Sequence, residues 1–391
     1  GWSRGRLSRL AVDQLYGRKV SMSASRMDKY KSCHFSYFMR YGLQAEPRKP
    51  AGFTAPEYGT FVHYVLEHVL RDEMFRQTVL PGFSDPVAGA EGRRRLRELT
   101  RAAVDRYVEE ELGGLEHQTE RFRYLFRRLL RSVQAVVDNV AEELAASQFR
   151  PISFELGFGS GQDLPPVELT VDGVTISVTG FVDRVDGWLH DGKLYLRVVD
   201  YKTGTKKLDL REVYCGLDCQ MLLYLFSLTR DADGRFTGAE PAGVLYLLAD
   251  PAPETTTRGK AARSMEYKLD GLVRDEQKVF DAMDAEETGR YLPFSFRGGV
   301  PSPYQKEKRA DKAKLSRIQL HLDDLVTRMG EQLYSGCIAA EPLVTGRSPC
   351  RWCDYGFICC HEDGIGERAL DAPAKPFEPP ENSDKKKEED Q

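Results

Sequence analysis

Gly180-Phe-Val-Asp183-Arg-Val-Asp186-Gly-Trp-Leu-His190-Asp191-Gly192-Lys-Leu-Tyr-Leu-Arg197-Val-Val-Asp200-Tyr-Lys202 is the stretch on which the fold turns. Two strand-like runs flank Asp191-Gly192, the strongest short hairpin signal, because both central residues of a type I′ turn need positive φ. With those two residues as the loop, His190 pairs with Lys193, and the ladder continues outward until Asp183 lies opposite Asp200. Directly opposed Cβ atoms in such a ladder are about 4.5–5.5 Å apart. Side chains alternate, so Lys202 shares the face of Asp200, together with Val185, Leu189, Leu194, Leu196 and Val198. Two carboxylates opposed on a half-buried face repel each other and call for a proton or a cation. A hard divalent cation with oxygen ligands answers that need. On the other face Asp186 falls against Arg197, which reads as an ordinary cross-strand ion pair. A longer or bulged turn would break this register and leave a surface hairpin with scattered charges.

Outward from the hairpin, residues 152–248 favour strands, interrupted by one helix at about Leu210–Leu228. Upstream, Thr54-Ala-Pro-Glu57 resembles a capping box opening a helix that runs to Leu70. Pro81 to Gly92 reads as loop, and apolar residues then recur at helical spacing to about Ser147 with a break at Gly113-Gly114. Downstream come a polar loop at 251–264, a loop at Pro293–Pro303 and a helix from Lys312 to Tyr334 stopped by Gly336. Pro379 to Gln391 has the composition of a disordered tail.

The 391 residues have room for two or three domains or one large elaborated one. A net charge of −4 means that any nucleic-acid binding rests on local basic surfaces. No apolar run is long enough to span a bilayer, and the basic first residues lead into no signal-peptide core, so a soluble cytosolic protein is expected. The chain opens without a methionine and is read as part of something longer. It has no G-x-x-x-x-G-K-[ST] loop and so no ATP motor of that type.

Asp183, Val198-Val199-Asp200-Tyr201-Lys202-Thr-Gly204, Gln220-Met-Leu-Leu-Tyr224 and Gly59-Thr-Phe-Val-His63 together resemble the RecB group of PD-(D/E)XK nucleases. Ser23-Ala-Ser-Arg26-Met-Asp-Lys-Tyr30, Cys33-His-Phe-Ser-Tyr-Phe38-Met-Arg-Tyr41-Gly-Leu43 and Cys350-Arg-Trp-Cys353 with Cys359 extend the resemblance to the carboxy-terminal nuclease region of the AddB family of helicase–nuclease subunits. His34 departs from that pattern, which has Pro after the first cysteine. The resemblance implies an α/β restriction-endonuclease-like core. A small mixed sheet is flanked by helices, with a helical insertion and an iron–sulfur clasp joining the two ends. The corresponding segments are 1–50 with the first cluster cysteine, 51–150 with the motif histidine, 151–250 as nuclease core, 251–345 as helical and loop elaboration, 346–362 as cluster-binding segment and 363–391 as a mostly disordered tail.

By resemblance His63, Asp183, Asp200 and the Tyr201 carbonyl hold Mg²⁺ or Mn²⁺, and Lys202 polarises the attacking water or stabilises the pentavalent state. Glu67, one turn after His63, either orients it or is solvated. Gln220 and Tyr224 share a helix face and either position Lys202 or a DNA phosphate, or form a polar helix edge. Lys206 and Lys207 are candidates for holding the strand being cut. Arg123, Arg127 and Arg131 form a basic stripe that reads first as a solvated helix face.

Cys350-x2-Cys353-x5-Cys359 needs a fourth ligand, which distant Cys33 would supply, and four cysteines suit zinc or a [4Fe–4S] cluster. The resemblance selects the cluster, and its spacing selects Cys359 over Cys360. Cys215, Cys219 and Cys337 read as small core residues. The implied activity is metal-dependent cleavage of single-stranded DNA, on the 5′-terminated strand, during double-strand-end resection beside an AddA-type helicase–nuclease partner in a bacterial nucleoid. The rivals are a stand-alone iron–sulfur exonuclease of the same superfamily and a catalytically idle DNA-binding scaffold.

Overall fold

The computed structural model describes residues 5–46, 55–83, 89–116, 119–202, 207–230, 234–248, 269–285 and 289–379. Thr54, Lys206, the polar loop at 251–264 and residues 380–391 of the tail lie outside them. The strands of the main sheet are β1 (Lys19–Ser23), β2 (Arg150–Phe158), β3 (Val167–Val171), β4 (Val174–His190), β5 (Lys193–Lys202), β6 (Glu240–Leu248), β7 (Leu269–Arg274) and β8 (Arg309–Ala310). They form one mixed sheet in the order β1-β4-β5-β6-β7-β8, with β2 and β3 also pairing antiparallel to β4.

The hairpin register is the expected one. His190 pairs with Lys193, Asp186 with Arg197 and Arg184 with Val199. Asp191 and Gly192 take φ of 49° and 72°, the left-handed values that a type I′ turn demands. β5 then pairs parallel with β6, setting Asp200 beside Tyr246. Parallel neighbours need a crossover, and here two short helices, Leu210–Cys215 and Gln220–Thr229, supply it. The single helix expected over Leu210–Leu228 is broken because Gly216 adopts φ 89° and ends the first piece in a left-handed cap.

The principal helices are α1 (Ala24–Ser32), α2 (Ala55–Arg71), α3 (Gly89–Glu110), α4 (Glu120–Ala146), α5 (Gln220–Thr229) and α6 (Lys312–Tyr334). The loop expected over Pro81–Gly92 is partly helical, with a turn at Leu80–Phe83 and α3 beginning at Gly89. Gly92 packs closely there, where an added Cβ would meet the Val79 carbonyl oxygen at 3.4 Å and the Phe83 ring at 3.5 Å, ordinary van der Waals contact.

Helices cover both faces of the sheet. Val185, Leu196 and Val198 join a core with residues of α5 and α6. Tyr195, Val199 and Tyr201, on the opposite face of β5, join a second core with α2, α3 and α4. This is why β5 reads as a nearly unbroken apolar run: a strand buried on both faces has no solvent side. One expectation changes: Leu189, placed by alternation on the apolar face, is 72% exposed beside the turn. The expected cross-strand pair of Asp186 and Arg197 forms at 2.8 Å, and both residues are completely buried. No helix among the described residues is long and apolar enough to cross a membrane.

Candidate metal centre and cysteine clasp

The ladder between β4 and β5 runs to Arg184 and Val199, and one further step sets Asp183 against Asp200. On the other side of β4, Phe154 pairs with Arg184 and Leu156 with Val182, so Glu155 of β2 faces Asp183. Three adjacent strands therefore present a transverse row of carboxylates, Glu155, Asp183 and Asp200. Glu155 holds φ 47° inside a strand, a costly conformation for a residue with a side chain and one that concentrates at functional sites. Sequence reading missed Glu155. Its one signal is an acid inside the apolar run Ile152–Leu156.

His63 reaches the row from α2. Its Nδ1 lies 3.5 Å from Asp183 Oδ2, and its Nε2 lies 2.9 Å from the Tyr201 carbonyl oxygen. The Tyr201 N–H donates to Asp183 Oδ2 at 3.0 Å. Ligand atoms of His63, Glu155 and Asp183 all lie within 4.8 Å of one another, the one such group among the described residues. Asp200 stands outside that group and meets Lys202, with Nζ 2.7 Å from Oδ2. The donor set, carboxylates and a peptide carbonyl with one imidazole, fits a hard divalent cation such as Mg²⁺ or Mn²⁺.

The electrostatics show the need for one. Burial, and next the Asp200 charge, hold the Asp183 carboxyl well above its ordinary range. Burial, and next the Glu67 charge, push Glu155 up as well. Glu67 pairs with Arg71 at 3.0 Å. The Tyr224 hydroxyl rests over Gly180, where an added Cβ would come within 1.8 Å of it. Tyr224 also bonds to Gln220 and to the Phe181 backbone, so it braces β4 three residues before Asp183. Lys207 is exposed. In the arginine stripe Arg123 is held by Glu120 at 2.6 Å, while Arg127 and Arg131 are exposed.

The cysteines gather elsewhere. Cys33, Cys353 and Cys359 pack in one cluster with Phe35, Met39 and Tyr355. Burial pushes the Cys33 thiol up, and Cys359 and Cys353 push in the same direction. Cys350 lies one turn before Cys353, whose N–H donates to its carbonyl at 3.1 Å. Phe35 N–H reaches the Ala339 carbonyl, and the Tyr355 hydroxyl reaches that of Ala45 at 2.6 Å, joining both ends of the chain. Cys359 is buried whereas Cys360 is exposed. Cys219 is buried, Cys215 donates to the Asp371 carbonyl, and Cys337 meets His34 at 3.5 Å.

Curated relatives are similar over most of the chain. An ATP-dependent helicase/deoxyribonuclease component of the AddB type from Thermoanaerobacter sp. (strain X514) is 30% identical over 365 residues, covering 90% of this chain and 31% of that protein. Proteins of the same name from Clostridium tetani and Caldanaerobacter subterraneus subsp. tengcongensis are each 29% identical, over 90% and 91% of this chain and 31% of their own length. The chain thus spans about a third of the length of these relatives. The family model of the PD-(D/E)XK nuclease superfamily matches residues 21–360, which contain the carboxylate row, His63, Lys202, Cys33, Cys350, Cys353 and Cys359, and the chain belongs to that superfamily.

Proposed function

We propose that this chain is a divalent-cation-dependent deoxyribonuclease unit that cuts single-stranded DNA, on the 5′-terminated strand, within a helicase–nuclease that resects double-strand ends. The observation that carries the reading is the row of Glu155, Asp183 and Asp200, with His63 and Lys202 at its edges. His63, Glu155, Asp183, Asp200 and the Tyr201 carbonyl would hold the ion. When bound, it polarises the scissile phosphodiester and the attacking water. Lys202, bonded to Asp200, would offer an ammonium to the negative charge that grows on the phosphoryl oxygens. Tyr224 and Gln220 hold β4 against α5 and so keep Asp183 in line. Lys207, together with Lys206, offers positive charge to the DNA strand just beyond β5.

The relatives are named as one component of a helicase/deoxyribonuclease, which supports a partner bearing further helicase and nuclease functions over a stand-alone exonuclease. The cysteine clasp is read as one [4Fe–4S] cluster on Cys33, Cys350, Cys353 and Cys359, supported by the packing of Cys33 and Cys353 against the buried Cys359. Its role would be structural, tying the two ends together across a very long loop.

One experiment tests the centre. The chain is purified anaerobically and assayed on end-labelled single-stranded DNA with Mg²⁺ or Mn²⁺, beside Asp200→Ala. Cleavage by the parent alone is expected. Equal cleavage by both proteins overturns the assignment, and no cleavage by the parent, alone or with its helicase partner, favours an idle scaffold. Iron and sulfide analysis of the same preparation reads the clasp, and stoichiometric zinc without iron overturns the cluster.

A further inference from the structure

Behind the carboxylate row lies a second set of charges. Glu143 of α4, Arg184 and Asp186 of β4, and Arg197 of β5 are all at most 1% exposed. Arg184 meets Glu143 at 3.0 Å and Asp186 at 2.9 Å, and Arg197 meets Asp186 at 2.8 Å and also Glu143. Two guanidinium groups and two carboxylates make the set neutral. Such a buried set is weak evidence for stability, since a well-packed apolar replacement is often as stable. Its hydrogen bonds give direction, and one of them leaves the set: Arg184 Nη1 donates to the Tyr201 hydroxyl at 3.1 Å.

Tyr201 stands between the two systems. Its ring points into the charged set, with Arg184 Cζ 5.8 Å from the ring centroid. Its peptide faces the metal centre, where the N–H binds Asp183 and the carbonyl meets His63. Ring and peptide share one Cα, so an anchor on the hydroxyl restrains the backbone that makes both contacts. Asp183 is fixed twice over, because Arg184 is also its neighbour in the chain.

We infer that Arg184, anchored by Glu143 and Asp186, is a positioning residue that acts through the Tyr201 hydroxyl to hold Asp183, His63 and the Tyr201 carbonyl in the geometry that binds the ion. The inference rests on the reading of these groups as ion ligands. Partners that orient ligands in this way typically contribute about 10–100-fold to metal affinity.

The test measures Mn²⁺ binding directly, by titration calorimetry and by the resonance signal of free Mn²⁺, so no turnover is required. Tyr201→Phe removes one oxygen and leaves the ring. Tyr195→Phe is the control: it lies on the same face of the same strand and loses a hydroxyl that accepts from Lys278 Nζ at 2.7 Å, with no tie to the centre. Urea midpoints are recorded for both. The expected result is Mn²⁺ affinity about tenfold or more weaker in Tyr201→Phe and unchanged in Tyr195→Phe. Unchanged affinity in Tyr201→Phe, or an equal loss in both, overturns the inference. Asp183→Asn separates the two levels. If it abolishes the binding while Tyr201→Phe leaves it intact, the site reading stands and the positioning role fails. If it leaves binding intact, the site reading itself fails.

Discussion

Gly180 offers the sharpest test of how α5 and β4 fit together. A Cβ at that position would lie 1.8 Å from the Tyr224 hydroxyl oxygen, 2.4 Å from Cζ and 2.7 Å from Cε1. Gly180 is not among the residues with positive φ, so Gly180→Ala incurs no backbone strain and the whole cost is the clash. Relief requires the phenol to retreat by well over an ångström, yet its ring stacks on Phe158 at 5.5 Å and its helix is packed on β5 and β6. Overpacking of this kind costs about 1–3 kcal/mol. Against it stands a gain of about 0.4–1 kcal/mol from a stiffer unfolded chain. The expected net loss is about 1–2 kcal/mol, measured by urea unfolding. Divalent-dependent cleavage should fall with it, because the same strand carries Asp183 three residues on. In a Tyr224→Ala background the clashing atoms are gone, so Gly180→Ala should become neutral or slightly stabilising, a coupling of about 1–3 kcal/mol. Additivity within about 0.5 kcal/mol would refute the reasoning, since it would mean that Tyr224 does not occupy the space above Gly180.

Three more outcomes follow from the same geometry. The Asp183 carboxyl is held above its unfolded value, so its contribution to stability is complete below the unfolded pKa of about 3.9 and is lost as pH rises through the folded one. Without metal, Asp183→Asn should therefore be more stable than the parent at neutral pH and lose that advantage near pH 4, while saturating Mg²⁺ should favour the parent; a pH-independent difference in melting temperature would contradict this. Glu155→Gln removes one negative ligand from the group and should raise the Mg²⁺ needed for half-maximal cleavage by about tenfold, and an unchanged Mg²⁺ titration would remove Glu155 from the centre. Cys359→Ala should lose bound iron and visible absorbance whereas Cys360→Ala keeps both, because Cys359 is buried against the other sulfurs and Cys360 is exposed; the reverse pattern would reassign the ligand.

The hairpin was legible because one dipeptide fixes it. Asp191-Gly192 demands positive φ, the turn sets His190 against Lys193, and alternation brings Asp183 to Asp200. The same alternation failed at Leu189, since burial beside a turn depends on what packs there and not on parity. On the second face alternation paired Asp186 with Arg197 as expected, but their complete burial was not legible: Glu143, on a helix far upstream, and Arg184 complete the charged set, and no local pattern reports such partners. Glu155 was hidden for a related reason: its role depends on the β2–β4 register and on a left-handed backbone angle that no residue type at that position announces.

Charge accounting at the centre gives the divalent ion its physical basis. Arg184 lies next to Asp183 in the chain, but its guanidinium is engaged by Glu143 and Asp186. Arg71, which draws Glu155 down, is engaged by Glu67, whose own charge pushes Glu155 up more strongly. Among the described residues, Lys202 is then the cation bonded into the row, at Asp200. Three carboxylates against one ammonium leave two negative charges. In the metal-free protein protonation relieves part of this, as the raised Asp183 carboxyl shows. A single divalent cation would relieve all of it without a proton, and the imidazole of His63 and the carbonyl of Tyr201 lie beside Asp183 as further donors. The buried set behind Tyr201 is neutral by itself and adds nothing to this balance. Its two arginines are therefore not counterions for the carboxylate row, and what they give the centre is orientation through one tyrosine.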